Sequence, residues 1–295
     1  MADVNPKLLR RMLALRQFPM FATAELAELA TIAENLVPAR FPAGAVIAPA
    51  GARLPGLHLV LEGRIEASRS WGPRQIFGAL EVLARRDHAA AAVAAIETCT
   101  LQLSSSDLAE VLEDNFGVLL AVVRELAART LAAGPPAPPI AVPSGGVGLG
   151  LVERLIVLRQ LLPFAGARLQ GLAMLAHGSE EVDWAQGAIV ARAGELASGS
   201  LLVLDGVLRG RGPGNAACEL GRGHAFGALE TLAGTGHTAT LEAVTPVRAL
   251  HSSGTAMLDV LEDHPDIGMS MVSAFARGLL DRSPGERTSD ADRGN

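Results

Sequence analysis

The chain repeats itself once. Val60–Gly63 recurs as Val203–Gly206, 143 positions later, and Phe77–Glu81 recurs as Phe226–Glu230, 149 positions later. A repeat this long within 295 residues indicates a duplicated domain rather than a solenoid. The change of offset places six extra residues of the second copy between Gly206 and Phe226. Further matching pairs are Leu15–Gln17 with Leu158–Gln160, Phe21 with Phe164, Gly44 with Gly187, Ala50–Gly51 with Ala193–Gly194, and Val111–Asp114 with Val260–Asp263.

Proline and glycine separate the two copies. The stretch 134–150 is dense in both residue types, which is the composition of an unpacked linker. The last stretch, 283–295, has almost no apolar side chains and is expected to be disordered. We therefore predict a first domain at 1–133, a linker at 134–150, a second domain at 151–282 and a tail at 283–295.

Each copy has three parts. A helical opening, with apolar residues three and four apart in Leu26–Leu36, precedes short β-type runs with turns at Gly44 and Gly51. One amphipathic helix closes each copy, at Leu108–Leu126 and near Met257–Leu280, and Ser106 is the expected N-cap of the first. This order predicts a mainly β protein with flanking helices, built as closed or sandwiched antiparallel units.

Composition excludes several classes of protein. The net charge of −6 and pI near 5.7 give no reason to expect a nucleic-acid partner. The longest apolar runs, Ala89–Ile96 and Val118–Val123, are far shorter than the roughly 18 residues of a membrane span. The N-terminus lacks the pattern of a signal peptide, and Cys99 and Cys218 allow at most one disulfide. We expect a cytoplasmic protein without membrane insertion.

The ordered motifs resemble the cyclic nucleotide-binding domain of catabolite activator proteins, kinase regulatory subunits and cyclic-nucleotide-gated channels. The residues that carry the resemblance are Phe41–Gly51, His58–Gly63 and Phe77–Leu80 in the first copy, and Trp184–Gly194, Leu201–Gly206 and Phe226–Leu229 in the second. The resemblance implies two tandem jelly-roll domains with helices at both ends. It also implies a phosphate-binding cassette after each Phe-Gly pair.

Both cassettes depart from the pattern of ligand-binding members. Ala79 and Ala228 stand where the resemblance implies a ribose-binding glutamate, and His88 and His237 stand where it implies a phosphate-binding arginine. Histidine lacks the permanently charged fork of arginine, and losing such a contact costs about 2–5 kcal/mol, which turns a micromolar site into a millimolar one. The degenerate cassettes comprise Phe77, Gly78, Ala79, Leu80, His88 and Ala89, and Phe226, Gly227, Ala228, Leu229, His237 and Thr238.

Two interpretations of the histidines stay open. In the first, the histidines line a pocket for another ligand or form a pH-sensitive contact. In the second, they are tolerated in an unused pocket while Glu81 and Glu230 face solvent. We favour the second. Cys218, His224 and His237 match no common zinc spacing, so no metal or cofactor is expected, and no catalytic constellation is present.

These observations favour a non-enzymatic regulatory or adaptor protein that acts through protein contacts or self-association. The alternative is a divergent small-molecule sensor that binds a cyclic nucleotide or another anion weakly in one or both cassettes. DNA binding is not expected, because no helix-turn-helix follows either closing helix. We expect the interaction surface on the closing helices, at Leu119, Val122, Val123 and Leu126 in the first copy and at Met269, Met271, Val272 and Phe275 in the second.

Overall fold

A computed structural model describes residues 6–22, 24–134, 138–143, 148–161, 164, 166–212 and 217–282. Contacts divide the chain into two compact units, Met1–Val122 with Val272–Asn295, and Val123–Met271. Both divisions fall within long helices. The boundaries expected from the sequence stay a prediction, and the expected tail lies outside the described residues.

Within its described residues, the first copy contains eight strands and five α-helices. The helices are α1 (Pro6–Leu15), α2 (Leu26–Asn35), α3 (Ala79–Ala84), α4 (Ser105–Asp114) and α5 (Phe116–Ala132), with a 3-10 turn at Pro19–Phe21. The strands are β1 (Val37–Phe41), β2 (Val46–Ala48), β3 (Gly56–Glu62), β4 (Ile65–Glu66), β5 (Ser70–Trp71), β6 (Ile76–Phe77), β7 (Ala92–Ala94) and β8 (Thr98–Ser104).

The second copy follows the same order. Its helices are α6 (Leu151–Gln160), α7 (Leu169–His177), α8 (Ala228–Ala233), α9 (Gly254–Asp263) and α10 (Pro265–Arg282). Its strands are β9 (Ser179–Trp184), β10 (Ile189–Ala191), β11 (Gly199–Asp205), β12 (Leu208–Arg211), β13 (Ala217–Leu220), β14 (Ala225–Phe226), β15 (Thr240–Ala243) and β16 (Val247–Ser253).

The strand order identifies each β unit as a jelly roll. In the first copy the two sheets have the orders β1-β8-β3-β6 and β2-β7-β4-β5, and all neighbouring strands are antiparallel. In the second copy the orders are β9-β16-β11-β14 and β10-β15-β12-β13, which is the same arrangement. Two interleaved four-stranded sheets of this kind define the eight-stranded jelly roll. The predicted fold class is therefore confirmed.

Equivalent positions build the two cores. Val60 and Ile65 in the first core correspond to Val203 and Leu208 in the second, and all four side chains are fully buried. The six extra residues lie in the β12–β13 hairpin, whose strands have four residues each where β4 and β5 have two. The insertion therefore lengthens a hairpin and leaves the core positions in register.

The closing helices differ from the prediction. Each is two helices, because α4 ends before Asn115 and α9 ends before His264, both of which leave helical backbone geometry. The N-cap of α4 is Ser104 rather than Ser106, since the Ser104 hydroxyl accepts the backbone N–H of Asp107 at 3.0 Å. The apolar residues predicted to form an interaction surface are buried within the chain, except Met269, which is half-buried. The prediction is therefore wrong for Leu119, Val122, Val123, Leu126, Met271, Val272 and Phe275.

Part of the expected linker is packed, contrary to the prediction. Residues 138–143, here called the strap, are packed within the second unit, where the N–H of Ile140 donates to the carbonyl of Gly223 at 2.9 Å. The side chain of Arg222 donates to the carbonyl of Val142 at 3.2 Å. Gly223 has a φ of +84°, and a Cβ there would overlap the Ile140 carbonyl, so only glycine admits the strap. Residues 135–137 and 144–147 lie outside the described residues.

No helix in the described part of the chain is both long enough and apolar enough to cross a bilayer.

Candidate functional site

The first cassette begins where β6 turns into the short helix α3. Gly78 makes the turn with a φ of +80°, and a Cβ at this position would lie 2.6 Å from Cδ1 of Leu54. Glycine is therefore required both by the backbone geometry and by the close approach of Leu54. The helix α3 that follows this turn contacts β3. Within α3, Leu80 is buried and Ala79 is half-buried.

His88 is fixed in the cassette by its backbone. Its N–H donates to the carbonyl of Ala52 at 2.9 Å, and its carbonyl accepts the N–H of Gly51 at 2.7 Å. Its ring meets the ring of Phe77 edge to face, with centroids 5.1 Å apart and an interplanar angle of 82°. The side chain is only 3% exposed. The imidazole therefore fills the interior beside Phe77.

Glu81 is the partner of His88, seven residues upstream. Nδ1 of His88 donates to Oε1 of Glu81 at 3.0 Å. Burial raises the pKa of the Glu81 carboxyl, but the His88 hydrogen bond, a backbone hydrogen bond and attraction to His88 and Arg69 outweigh it, so the pKa lies below its ordinary value. The Glu81 side chain is 14% exposed. The expectation that Glu81 faces solvent is wrong, because the carboxylate turns inward to this donor.

The other nitrogen of the His88 ring has no hydrogen-bond partner in the described part of the chain. Nδ1 bonds Glu81, whereas Nε2 is buried without a hydrogen bond among the described residues. The pair is thus a carboxylate bound to a buried imidazole beside the Phe77 ring. It offers no permanently charged donor to a phosphate.

A second buried histidine also lies beside Phe77, and sequence reasoning did not single it out. His58, on β3, is 5% exposed, and its Nδ1 is 3.1 Å from Oγ1 of Thr100. Its ring centroid lies 6.0 Å from that of Phe77. Burial lowers the pKa of His58 to about 4, so the ring is neutral at pH 7. The signal was available: His58 is one polar residue in an apolar run, and Leu201 occupies the equivalent position.

The backbone of the second cassette matches the first. His237 donates its N–H to the carbonyl of Glu195 at 2.8 Å and accepts the N–H of Gly194 at 2.9 Å. These bonds repeat those of His88, which makes the two histidines equivalent in structure. Gly227 has a φ of +86°, and a Cβ there would lie 2.5 Å from the carbonyl oxygen of Gly199. Each cassette therefore depends on a glycine at the same turn.

The side chains of the second cassette pair differently. The Thr238 hydroxyl donates to Oε1 of Glu230 at 3.0 Å, and Glu230 is only 4% exposed, so it does not face solvent either. The His237 ring stacks on Phe226, with centroids 5.2 Å apart and an interplanar angle of 19°. Nδ1 of His237 is buried and has no partner among the described residues. Ala228 and Leu229 are half-buried.

A single position accounts for the different pairing. Ala89 occupies the place of Thr238 in the first copy and has no hydroxyl. A buried carboxylate needs a donor, since leaving it unpaired costs several kcal/mol. Glu81 therefore takes the ring of His88, whereas Glu230 takes the hydroxyl of Thr238.

The described residues contain no group of three histidine, cysteine, aspartate or glutamate side chains placed to hold a metal ion. Cys99 and Cys218 are both free thiols. The Cys218, His224 and His237 set considered from the sequence is therefore not brought together as a site.

No protein-family model and no curated protein matches the chain. Similar solved structures include the regulatory domain of Toxoplasma gondii PKA with cAMP, at 16% identity and a TM-score of 0.34, covering 87% of this chain and 95% of that one. The regulatory subunit of a cAMP-independent protein kinase A from Trypanosoma brucei has 15% identity and a TM-score of 0.37, covering 97% and 93%. The N-terminal domain of a transcriptional regulator from Streptomyces coelicolor has 25% identity and a TM-score of 0.38, covering 42% and 91%. At these scores the jelly-roll assignment rests on the strand order itself.

Proposed function

We propose that this chain is a non-enzymatic regulatory or adaptor protein of the cytoplasm that works through protein contacts and does not bind cyclic AMP or cyclic GMP in the usual way. The observation that carries the proposal is the His88–Glu81 pair, which fills the first cassette with the chain's own side chains. A domain whose ligand site is filled by its own side chains can still act by binding other proteins through its surface.

Charge supports this proposal for the first cassette. The lowered pKa of Glu81 keeps its carboxylate ionised at pH 7, so the cassette holds a negative charge where a phosphate would have to enter. Two unit charges about 4 Å apart near a protein surface repel each other by about 4 kcal/mol. A cyclic phosphate would also have to separate His88 from Glu81. Both costs oppose binding, and no arginine offsets them at His88 or His237.

The second cassette favours the sensor alternative more than the first does. Glu230 is satisfied by Thr238, so His237 is not committed to a carboxylate, and no residue in the described ranges bonds its Nδ1. A small ligand that entered this cassette would meet a ring nitrogen that is buried but not bonded by any described residue. If either cassette binds an anion, we expect it to be the second.

Isothermal titration of the full chain with cyclic AMP, cyclic GMP and cyclic dinucleotides tests the proposal. We expect no dissociation constant tighter than about 10 μM, which corresponds to about 7 kcal/mol of binding free energy. The matched pair of variants His88→Ala and His237→Ala shows which cassette is responsible for any heat. A tighter constant that disappears with one of these changes would establish the sensor function instead.

A further inference from the structure

Both copies leave the same helix positions exposed to solvent. On α1, Leu9 and Leu13 are 46% and 60% exposed; on α6, Val152 and Ile156 are 68% and 52% exposed. Each α6 residue lies 143 positions after its α1 counterpart, which is the offset of the repeat. The duplicated helices therefore present large apolar side chains at equivalent places, although the interiors of the cassettes have diverged.

These residues belong to a longer face on each helix. We call Leu9, Met12, Leu13 and Arg16 the first stripe, and Val152, Leu155, Ile156 and Arg159 the second stripe. Positions i, i+3, i+4 and i+7 share one side of a helix. Arg16 continues the helical pattern beyond α1, because its N–H donates to the carbonyl of Met12 at 3.2 Å.

Each stripe is separate from the face that holds its helix in place. Leu15 and Leu158 are equivalent residues, and they are 0% and 5% exposed. The fold is thus satisfied by one side of each helix, while Met12 and Leu155 are half-buried at the edge of the stripes. A helix with one docked face needs no second apolar face for its own stability, and contiguous exposed apolar surface marks sites of interaction.

The charge around the stripes restricts the partner. The chain has a net charge of −6, yet residues 6–16 contain Lys7, Arg10, Arg11 and Arg16 and no acidic residue. Both stripes end in an exposed arginine, which favours a carboxylate on the partner. The second stripe has Glu153 beside Val152, and a negative charge there disfavours an anionic bilayer more than it disfavours a protein helix.

We propose that each stripe docks one acidic amphipathic helix of a partner protein, so that one chain offers two equivalent sites. The partner helix would place apolar residues at i, i+3, i+4 and i+7 against the leucine, valine and isoleucine side chains and a carboxylate against the terminal arginine. This proposal rests on the proposed adaptor function and names its surface. It requires no occupant in either cassette.

The probe for the test is a fluorescent synthetic helix of about 18 residues, with leucine at the four stripe-facing positions and glutamate beside them. We expect it to bind the full chain at two sites. Leu13→Asp is expected to remove one site and Ile156→Asp the other, each with at least a tenfold loss of affinity. Leu196→Asp is the matched control, since Leu196 is 72% exposed and lies outside both stripes.

A charge exchange tests the role of the arginines. Arg16→Glu with Arg159→Glu is expected to weaken the glutamate probe at least tenfold and to strengthen a probe with lysine in place of glutamate. Three outcomes would overturn the proposal. The glutamate probe does not bind, the unaltered chain binds both probes equally, or Leu196→Asp weakens binding as much as Leu13→Asp does.

Two other occupants are distinguished in the same experiments. Self-association that sedimentation shows to be lost in the Leu13→Asp and Ile156→Asp variants would assign the stripes to a second copy of this chain. Stripe-dependent binding to phosphatidylserine vesicles would assign them to a membrane. Either result overturns the proposal. The probe is titrated without nucleotide, and the variants leave the cassettes intact. Failure of the helix-docking proposal is therefore distinguishable from failure of the adaptor function, which the discovery of a cyclic nucleotide ligand would cause.

Discussion

The hydroxyl of Thr238 donates to the buried carboxylate of Glu230, and this bond decides what the neighbouring histidine does. In the first copy the donor is absent at Ala89, and the carboxylate of Glu81 binds His88 instead. Two cassettes with the same backbone therefore differ in chemistry through one side chain.

Replacing Thr238 by the alanine found in the first copy is expected to change the hydrogen-bond partner of Glu230 from Thr238 to His237. Thr238→Ala removes the donor to a carboxylate that is 4% exposed, so we expect a loss of about 1–3 kcal/mol in unfolding free energy, reduced if His237 turns to Glu230. Nitrogen chemical shifts of the imidazole should then report a proton on the nitrogen that faces Glu230. Thr235→Ala is the control, because the Thr235 hydroxyl is 3.5 Å from the Glu230 carbonyl and does not reach its carboxylate. An unchanged His237 spectrum together with full stability would contradict this account.

Acid is expected to destabilise the first copy through His58. Its pKa in the folded chain is about 4, below the ordinary 6.5, so the unfolded chain binds a proton first as the pH falls. Stability is therefore complete above pH 6.5 and declines between pH 6.5 and 4, by at most about 3 kcal/mol. Urea unfolding across this range measures the slope. Trp71 reports on the first copy when Trp184→Phe silences the second tryptophan.

The second copy supplies the matched variant for this test. His58→Leu with Thr100→Ala installs the residues found at the equivalent positions, Leu201 and Ala249, and is expected to abolish the slope between pH 6.5 and 4. His58→Leu alone leaves the buried Thr100 hydroxyl without its partner and should be less stable than the double variant. Glu81 affects the free energy of unfolding in a different pH range. Because its pKa is lowered in the folded chain, its stabilising contribution is lost only as the pH falls below the ordinary value of 4.5. A slope that survives the double variant would assign the effect to another group.

The strap is expected to depend on the absence of a side chain at Gly223. Gly223→Ala adds a Cβ that overlaps the Ile140 carbonyl, at a φ of +84° that alanine rarely adopts. We expect the strap to detach and thermolysin to cut before Ile140 or Val142 several times faster. Gly221→Ala is the control, because a Cβ there meets nothing within 4 Å. Equal cleavage rates in the two variants would show that the strap is held by other contacts.

The sequence predicted the fold well because core positions repeat. Val60 and Val203 occupy equivalent core positions, and the repeated glycine-turned pattern predicted closed or sandwiched antiparallel units. The jelly roll itself was implied by the family resemblance. The strap was missed because its proline content is typical of linkers, while the glycine that receives it lies about 80 residues away along the chain. The inward turn of Glu81 was missed for a related reason: whether a carboxylate faces solvent depends on a donor in a different loop, and helix periodicity does not report that donor.

Restoring the ligand-binding pattern is expected to succeed in the second cassette and to fail in the first. Ala228→Glu with His237→Arg places a charged fork beside a carboxylate that Thr238 already satisfies, so the arginine is free for a phosphate. Cyclic AMP affinity should rise at least tenfold over the unaltered chain by isothermal titration.

The same change in the first cassette, Ala79→Glu with His88→Arg, replaces a ring that is 3% exposed and directs a guanidinium at Glu81. The arginine should then pair with that carboxylate instead of a ligand, and binding should stay weak. Adding Glu81→Thr removes the competing charge and is expected to release the arginine and raise the affinity of the first cassette. If the first cassette binds as tightly as the second without that third change, Glu81 is not what closes it.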